Sequence, residues 1–115
     1  MSVAVHDAAL IAGLKAAGHP LRLAILRALT SGEMNVGQID DVAGIGQPTL
    51  SQQLAVLRKA GLVDTRREAK LIYYRLAHDR LRDLTAVFAQ LTPDETAVPV
   101  APPTIEGVAR FARIG

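Results

Sequence analysis

The sequence contains no cysteine and no tryptophan. Without thiols there is no disulfide framework, no thiolate metal site, no thiol redox switch and no cysteine nucleophile. Aromatic side chains are scarce: Tyr73, Tyr74, Phe88 and Phe111 are the complete set. Long apolar runs are also missing, because charge interrupts every one, so no segment is expected to span a membrane. Met1 to Asp7 lacks the basic start and long apolar stretch of a secretory signal, which makes the cytoplasm the default expectation. No glycine-rich phosphate loop and no nucleophile–base signature is present. Gly44-Ile45-Gly46 follows no strand and lacks the spacing of a dinucleotide fingerprint. Catalysis and a bound cofactor are therefore not expected.

What is present is a small, alanine- and leucine-rich chain of 115 residues, half of them hydrophobic. That length suits one domain with a modest core. The net charge of +2 says little, but its distribution says more. Arg58, Lys59, Arg66, Arg67, Lys70 and Arg75 are opposed in their stretch only by Asp64 and Glu68. The rest of the chain holds more acids than bases. A basic block on a near-neutral chain points to an anionic partner, or else to a solvated charged surface.

Periodicity predicts mostly helix. Leu10, Ile11, Leu14 and Ala17 recur at helical spacing over Val3–Ala17. Gly18-His19 breaks that helix, and Pro20 fits the first turn of the next, Leu21–Leu29. Leu23, Ile25, Leu26 and Leu29 supply its buried side. Met34-Asn35-Val36 reads as an extended link, followed by a third helix over Gly37–Ala43 that buries Ile39 and Val42. A fourth helix opens at Gln47-Pro48, carries Leu50, Leu54 and Leu57 as an apolar stripe, and stops at Gly61. Leu62–Arg67 and Leu71–Leu76 alternate as two strands around Glu68-Ala69-Lys70, a hairpin. A last helix starts near Asp79, its expected cap, and runs to Leu91. Past Thr92, Pro93, Pro99, Pro102 and Pro103 mark an extended linker. Val108, Phe111 and Ile114 repeat at spacing three, consistent with a short docked helix or a frayed tail. The domain assignment is thus residues 1–92 for the body and 93–115 for linker and tail.

The informative unit is helix, glycine turn, helix, basic hairpin. A second helix in such a pair can enter the DNA major groove, about 12 Å wide. The fourth helix has suitable chemistry. Gln47, Thr49, Ser51, Gln52, Gln53 and Ala55 offer hydroxyls, amides and a methyl group, with no bulky charge to block close approach. A glutamine amide can pair with adenine N6 and N7. The competing reading is an ordinary amphipathic helix with a polar outside. Arg66, Arg67 and Lys70 at the hairpin tip are suited to phosphates, which position a protein without specifying sequence. There the competing reading is a charged edge that resists aggregation.

From His19 to Leu91 the chain resembles the ArsR/SmtB family of winged-helix transcriptional repressors. The residues carrying the resemblance are His19-Pro20-Leu21-Arg22-Leu23-Ala24-Ile25-Leu26, Gly32 to Ile39, Gln47-Pro48-Thr49-Leu50-Ser51-Gln52-Gln53-Leu54, the exit Leu57 to Val63, and the wing Arg66 to Leu76. The resemblance implies a mainly helical winged helix-turn-helix fold with a β-hairpin wing. It implies a homodimer pairing through its first and last helices. It also implies double-stranded DNA, as a near-palindromic operator, for the partner. By position, base reading falls on Gln47, Pro48, Ser51 and Gln52. Pro48 stands where the family often has serine, and Gln52 or Gln53 where it often has histidine.

The family's sensing sites are missing. Asn35 and Gly37 stand where metal-sensing members have cysteines, and neither is a soft-metal ligand. His78, Asp79 and Asp83 match the start of a second metal site, but Leu84 to Leu91 supplies no distal ligands. Arg27 replaces the first cysteine of the redox-sensing branch. A non-standard site of His6, His78 and Asp79 is the remaining metal alternative. The releasing signal, a small molecule or an ion, is not identified by these residues. A rival function is a winged-helix interaction module that reads no DNA.

Overall fold

A computed structural model describes residues 4–92, and the side chains of residues 7–92. The elements run α1 (Ala4–Ala17), α2 (Pro20–Ala28), a 3-10 turn (Leu29–Ser31), β1 (Met34–Asn35), α3 (Val36–Ala43), α4 (Thr49–Lys59), β2 (Val63–Glu68), β3 (Leu71–Leu76) and α5 (His78–Gln90). The expected amphipathic segment around Phe111 and the side chain of His6 lie outside the described residues.

The core forms where the stripes of α2, α3 and α4 meet the end of the exit turn. Ile25, Ile39, Leu50, Leu54, Leu57 and Leu62 are fully buried. α1 crosses above them and packs on α5. Gly13 permits this crossing, since a Cβ there would lie 3.3 Å from Leu62 Cδ2 and 3.4 Å from both Leu84 methyl carbons. Two predicted core residues fall elsewhere. Leu23 is exposed because it lies about 200° around α2 from Ile25. Val42 is 61% exposed: α3 is short, and Ile39 takes its one buried position.

Each helix has a local reason to start. His19 Nδ1 accepts the Leu21 N–H at 3.1 Å, capping α2 just before Pro20. That bond gives His19 a structural role. Asn35 caps α3, one residue earlier than expected, and Gln38 closes the reciprocal capping box. The expected Asp79 cap is corrected. Ala77 is the N-cap of α5 and makes no side-chain cap bond, while Asp79 sits inside the first turn and accepts from Arg82 Nη1 at 2.7 Å.

The sheet is antiparallel in the order β1-β3-β2. Met34 pairs with Tyr74 and Asn35 with Tyr73, a third strand that the sequence pattern missed. The hairpin turn is tighter than predicted: Glu68 still pairs with Leu71, leaving Ala69 and Lys70 as the turn. At the exit from α4, Gly61 has φ +80, and a Cβ there would approach Arg80 Nη1 to 2.7 Å. Arg80 Nη1 also donates to the Ala60 carbonyl at 3.2 Å. Gly61→Ala is therefore expected to cost about 1–2 kcal/mol from the left-handed backbone alone. Urea unfolding would show it as a lower midpoint at constant m; an unchanged midpoint would refute the strain.

Candidate nucleic-acid interface

α3 and α4 are joined by a turn that the sequence does not leave loose. Asp40 Oδ1 accepts the backbone N–H groups of Ile45 and Gly46, each at 2.9 Å. The carboxylate thereby fixes the angle at which α4 departs. By charge alone Asp40 is mildly unfavourable beside phosphates; the structure gives it a positioning role.

α4 carries three different sides. Leu50, Leu54 and Leu57 are buried. Ser51, Gln52, Ala55 and Arg58 are exposed, as are Gln47 and Pro48 just before the helix. Thr49 and Gln53 are half-buried. Gln47 Oε1 accepts from the Ser51 N–H at 3.1 Å and from the Ser51 hydroxyl at 2.8 Å. This bond satisfies an otherwise orphaned donor in the first turn of α4. Gln53 points to the flank, where its Oε1 accepts from Arg22 Nη1 at 2.8 Å. Arg22 Nε also donates to the Ala16 carbonyl at 2.6 Å, so one guanidinium ties α1, α2 and α4 together.

The three hairpin cations differ sharply in their surroundings. Arg66 Nε and Nη2 donate to both carboxylate oxygens of Glu33, at 2.7 and 2.8 Å. Its Nη1 donates to Glu68 at 2.6 Å, and the guanidinium lies 4.8 Å from the centre of the Tyr73 ring. The Arg66 hydrogen bond, assisted by its charge, holds the Glu33 carboxyl below its ordinary value. The same two acids, Glu33 first, hold the Arg66 guanidinium above its own. A depressed carboxyl stabilises the fold above its unfolded pKa, so this clamp is intact near neutrality and is lost as pH falls through the lowered value. Arg67 occupies the opposite face of the ribbon, and Lys70 lies in the turn. Among the described residues neither makes an ion pair.

Glu33 was missed as a partner because it lies 33 residues from Arg66. No local pattern joins them. The metal alternative gains no support among the described residues. His78 is exposed, Asp79 pairs with Arg82, and no group of three His, Asp or Glu side chains is placed to hold an ion.

Two helices crossing through a pinned turn, with a three-stranded sheet extended into a cation-tipped hairpin, define the winged helix-turn-helix class. A family model described as "Bacterial regulatory protein, arsR family" matches residues 19–65. The biofilm growth-associated repressor of Agrobacterium fabrum is 54% identical over 77 residues, 66% of either chain. The crystal structure of the transcriptional repressor BigR from Xylella fastidiosa is 42% identical with a TM-score of 0.58, covering 80% of this chain and 92% of that one. The solution structure of the homodimeric winged helix-turn-helix DNA-binding domain Mb0332 (fragment 1–100) from Mycobacterium bovis is 32% identical with a TM-score of 0.64, covering 85% and 94%. The chain belongs to the arsR family of bacterial regulatory proteins. It spans 62% to 66% of the length of the first curated relatives it matches.

Proposed function

We propose that this chain is a cytoplasmic, homodimeric, sequence-specific DNA-binding regulator, a repressor that occludes a promoter, and that it performs no catalysis. The observation that carries this reading is the exposed face of α4. It presents the small polar groups Ser51, Gln52 and Ala55 on a helix whose opposite stripe is locked in the core. Ser51 and Gln52, with Gln47, Pro48 and Thr49 at the helix start, would meet base edges and nearby phosphates. Gln53, engaged by Arg22, would set the helix position. Arg67 and Lys70 would hold the backbone, while Arg66 would brace the wing against Glu33.

The dimer face we assign is the α1–α5 side. Phe88 is 53% and Leu91 70% exposed there, and Ile11 is exposed on α1. A groove of about 490 Å³ runs between the helices, lined by Leu10, Ile11, Leu14, Ala86 and Val87 among others. Exposed apolar area of this kind marks a protein contact. A twofold there would present two α4 helices to half-sites about 34–36 Å apart. The relatives support the reading, one being a transcriptional repressor and another a homodimeric DNA-binding domain.

The test is fluorescence anisotropy on DNA from upstream of the chain's own gene against a scrambled duplex, from about 50 to 200 mM salt. Preferential binding that survives the higher salt is expected, and Gln52→Ala should cost about 1–3 kcal/mol on the preferred duplex while relaxing discrimination. Equal, weak binding that collapses with salt would favour the interaction-module reading.

Glu33→Gln gives a separate prediction. It removes an acid beside the wing and releases one carboxylate from Arg66. Affinity for both duplexes should rise as one acid leaves the wing, while Arg66 stays paired with Glu68 and the salt slope changes little. A slope steeper by about one per wing would mean that Arg66 leaves Glu68 for phosphate.

A further inference from the structure

Between α1 and the C-terminal half of α4 lies a second groove, of about 410 Å³, with Val56 and Lys59 one and two turns beyond Gln52 on the same side of the helix. Its floor is apolar: Ala12 and Ala16 from α1, Val56 from α4 and Ala60 at the cap that ends it. Three of these are alanines, whose small side chains leave the space open. Val56 is 40% exposed, so its apolar surface is open to a ligand. The other lining residues are Lys15, Arg22 and Lys59, and no acid is among them. An apolar floor beneath three cations is complementary to an apolar anion.

Arg22 gives the groove a fixed charge. Its guanidinium is held by the carbonyls of Ala16 at 2.6 Å and Lys15 at 3.4 Å, and by Gln53 at 2.8 Å. A guanidinium has five N–H donors, so these three bonds leave two for a ligand. Lys15 and Lys59 are exposed and add mobile charge at the rim.

We propose that this α1–α4 groove binds an apolar monocarboxylic acid, its hydrocarbon on the alanine–valine floor and its carboxylate among Arg22, Lys15 and Lys59. The volume is that of a small-molecule site. A second copy of the chain fits less well, because a twofold contact sets a patch against itself and would oppose like charges. The larger apolar surface for self-association is on α1–α5.

The regulatory consequence rests on the DNA-binding reading above; the binding site does not. The groove is walled by α1, which carries part of the proposed dimer face, and by α4. Arg22 is bonded to both. A carboxylate on the two free Arg22 N–H groups would add a tie where Arg22 already joins α1 to Gln53, and so favour one setting of α4 relative to the dimer axis. A ligand shifts such an equilibrium only through its differential affinity for the two settings.

Octanoate, titrated into the isotopically labelled full chain without DNA and followed by amide NMR, tests the site. Saturable shifts are expected at Ala12, Lys15, Ala16, Val56 and Ala60, with little response to octylammonium. The double variant Lys15→Glu/Lys59→Glu, both exposed positions in the last turns of their helices, should stay folded with a slightly lowered melting temperature and bind octanoate about tenfold more weakly. Equal shifts from octylammonium, octanoate shifts confined to the α1–α5 face, or parent-like affinity in the double variant would overturn the proposal. Groove shifts that follow protein concentration alone would assign the groove to a second copy and overturn it too. Octanoate should also change affinity for the upstream duplex. Saturable binding with unaltered DNA affinity would keep the site and overturn its regulatory role. Absence of specific DNA binding with an intact octanoate response would instead defeat the DNA reading.

Discussion

Leu54→Ala is expected to destabilise the fold by about 2–5 kcal/mol, the range for truncating a fully buried leucine. Leu54 is central in the α4 stripe and 1% exposed. It is flanked on the helix by Leu50 and Leu57, both fully buried. The cavity would lie between α4 and the α2–α3 pair, where a small core has little spare packing to collapse into. Small domains hold only about 5–15 kcal/mol in total, so the loss is a large fraction of stability. The melting temperature should fall by roughly 10–30 °C. The proposed dimer would add concentration-dependent stability, so the comparison is between parent and variant at equal concentration. Ser51→Ala is the companion variant: it shares the helix but faces solvent, and should melt close to the parent while binding DNA more weakly. A parent-like melt for Leu54→Ala would mean that α4 is not docked through this stripe.

That contrast also shows how much of the molecule was legible in advance. The leucine stripe of α4 announced itself because helical periodicity and burial coincide there. The order of the helices and the hairpin followed from similarly local signals: Pro20, Gly61 and the alternation on either side of Ala69. What escaped was non-local or too short to have a period. β1 is only two residues long, and its pairing with Tyr73 and Tyr74 is invisible without the fold. Val42 and Leu23 have core-type side chains, but the helix face that each occupies turns it outward. The candidate interface divided in the same way. The polar face of α4 was legible from composition and spacing. The inward engagement of Gln53 and the neutralisation of Arg66 were not, because Arg22 and Glu33 are brought to them by tertiary structure. Residue type alone gave the three hairpin cations equal weight, whereas geometry separates them.

That separation leads to the largest effect expected on binding. Arg67→Ala/Lys70→Ala should weaken DNA binding by about a thousandfold or more at 0.1 M salt, with preferred and scrambled duplexes affected alike. Each cation withdrawn from a phosphate removes roughly one tenfold of counterion-release affinity at that salt, and a dimer loses four such cations. The slope of log affinity against log salt should flatten by about three to four. Arg66→Ala is the control. Its charge already faces Glu33 and Glu68, so its removal takes away no unopposed cation. The variant should change the salt slope little, and any loss should come from a less firmly braced wing. Anisotropy titrations at several salt concentrations separate the two outcomes. A slope for Arg66→Ala flattened by about two, half the change in the Arg67/Lys70 double variant, would mean that DNA breaks the Glu33 clamp and recruits Arg66 to phosphate. A double variant with the parent slope would place the wing away from DNA, leaving α4 to bind without it.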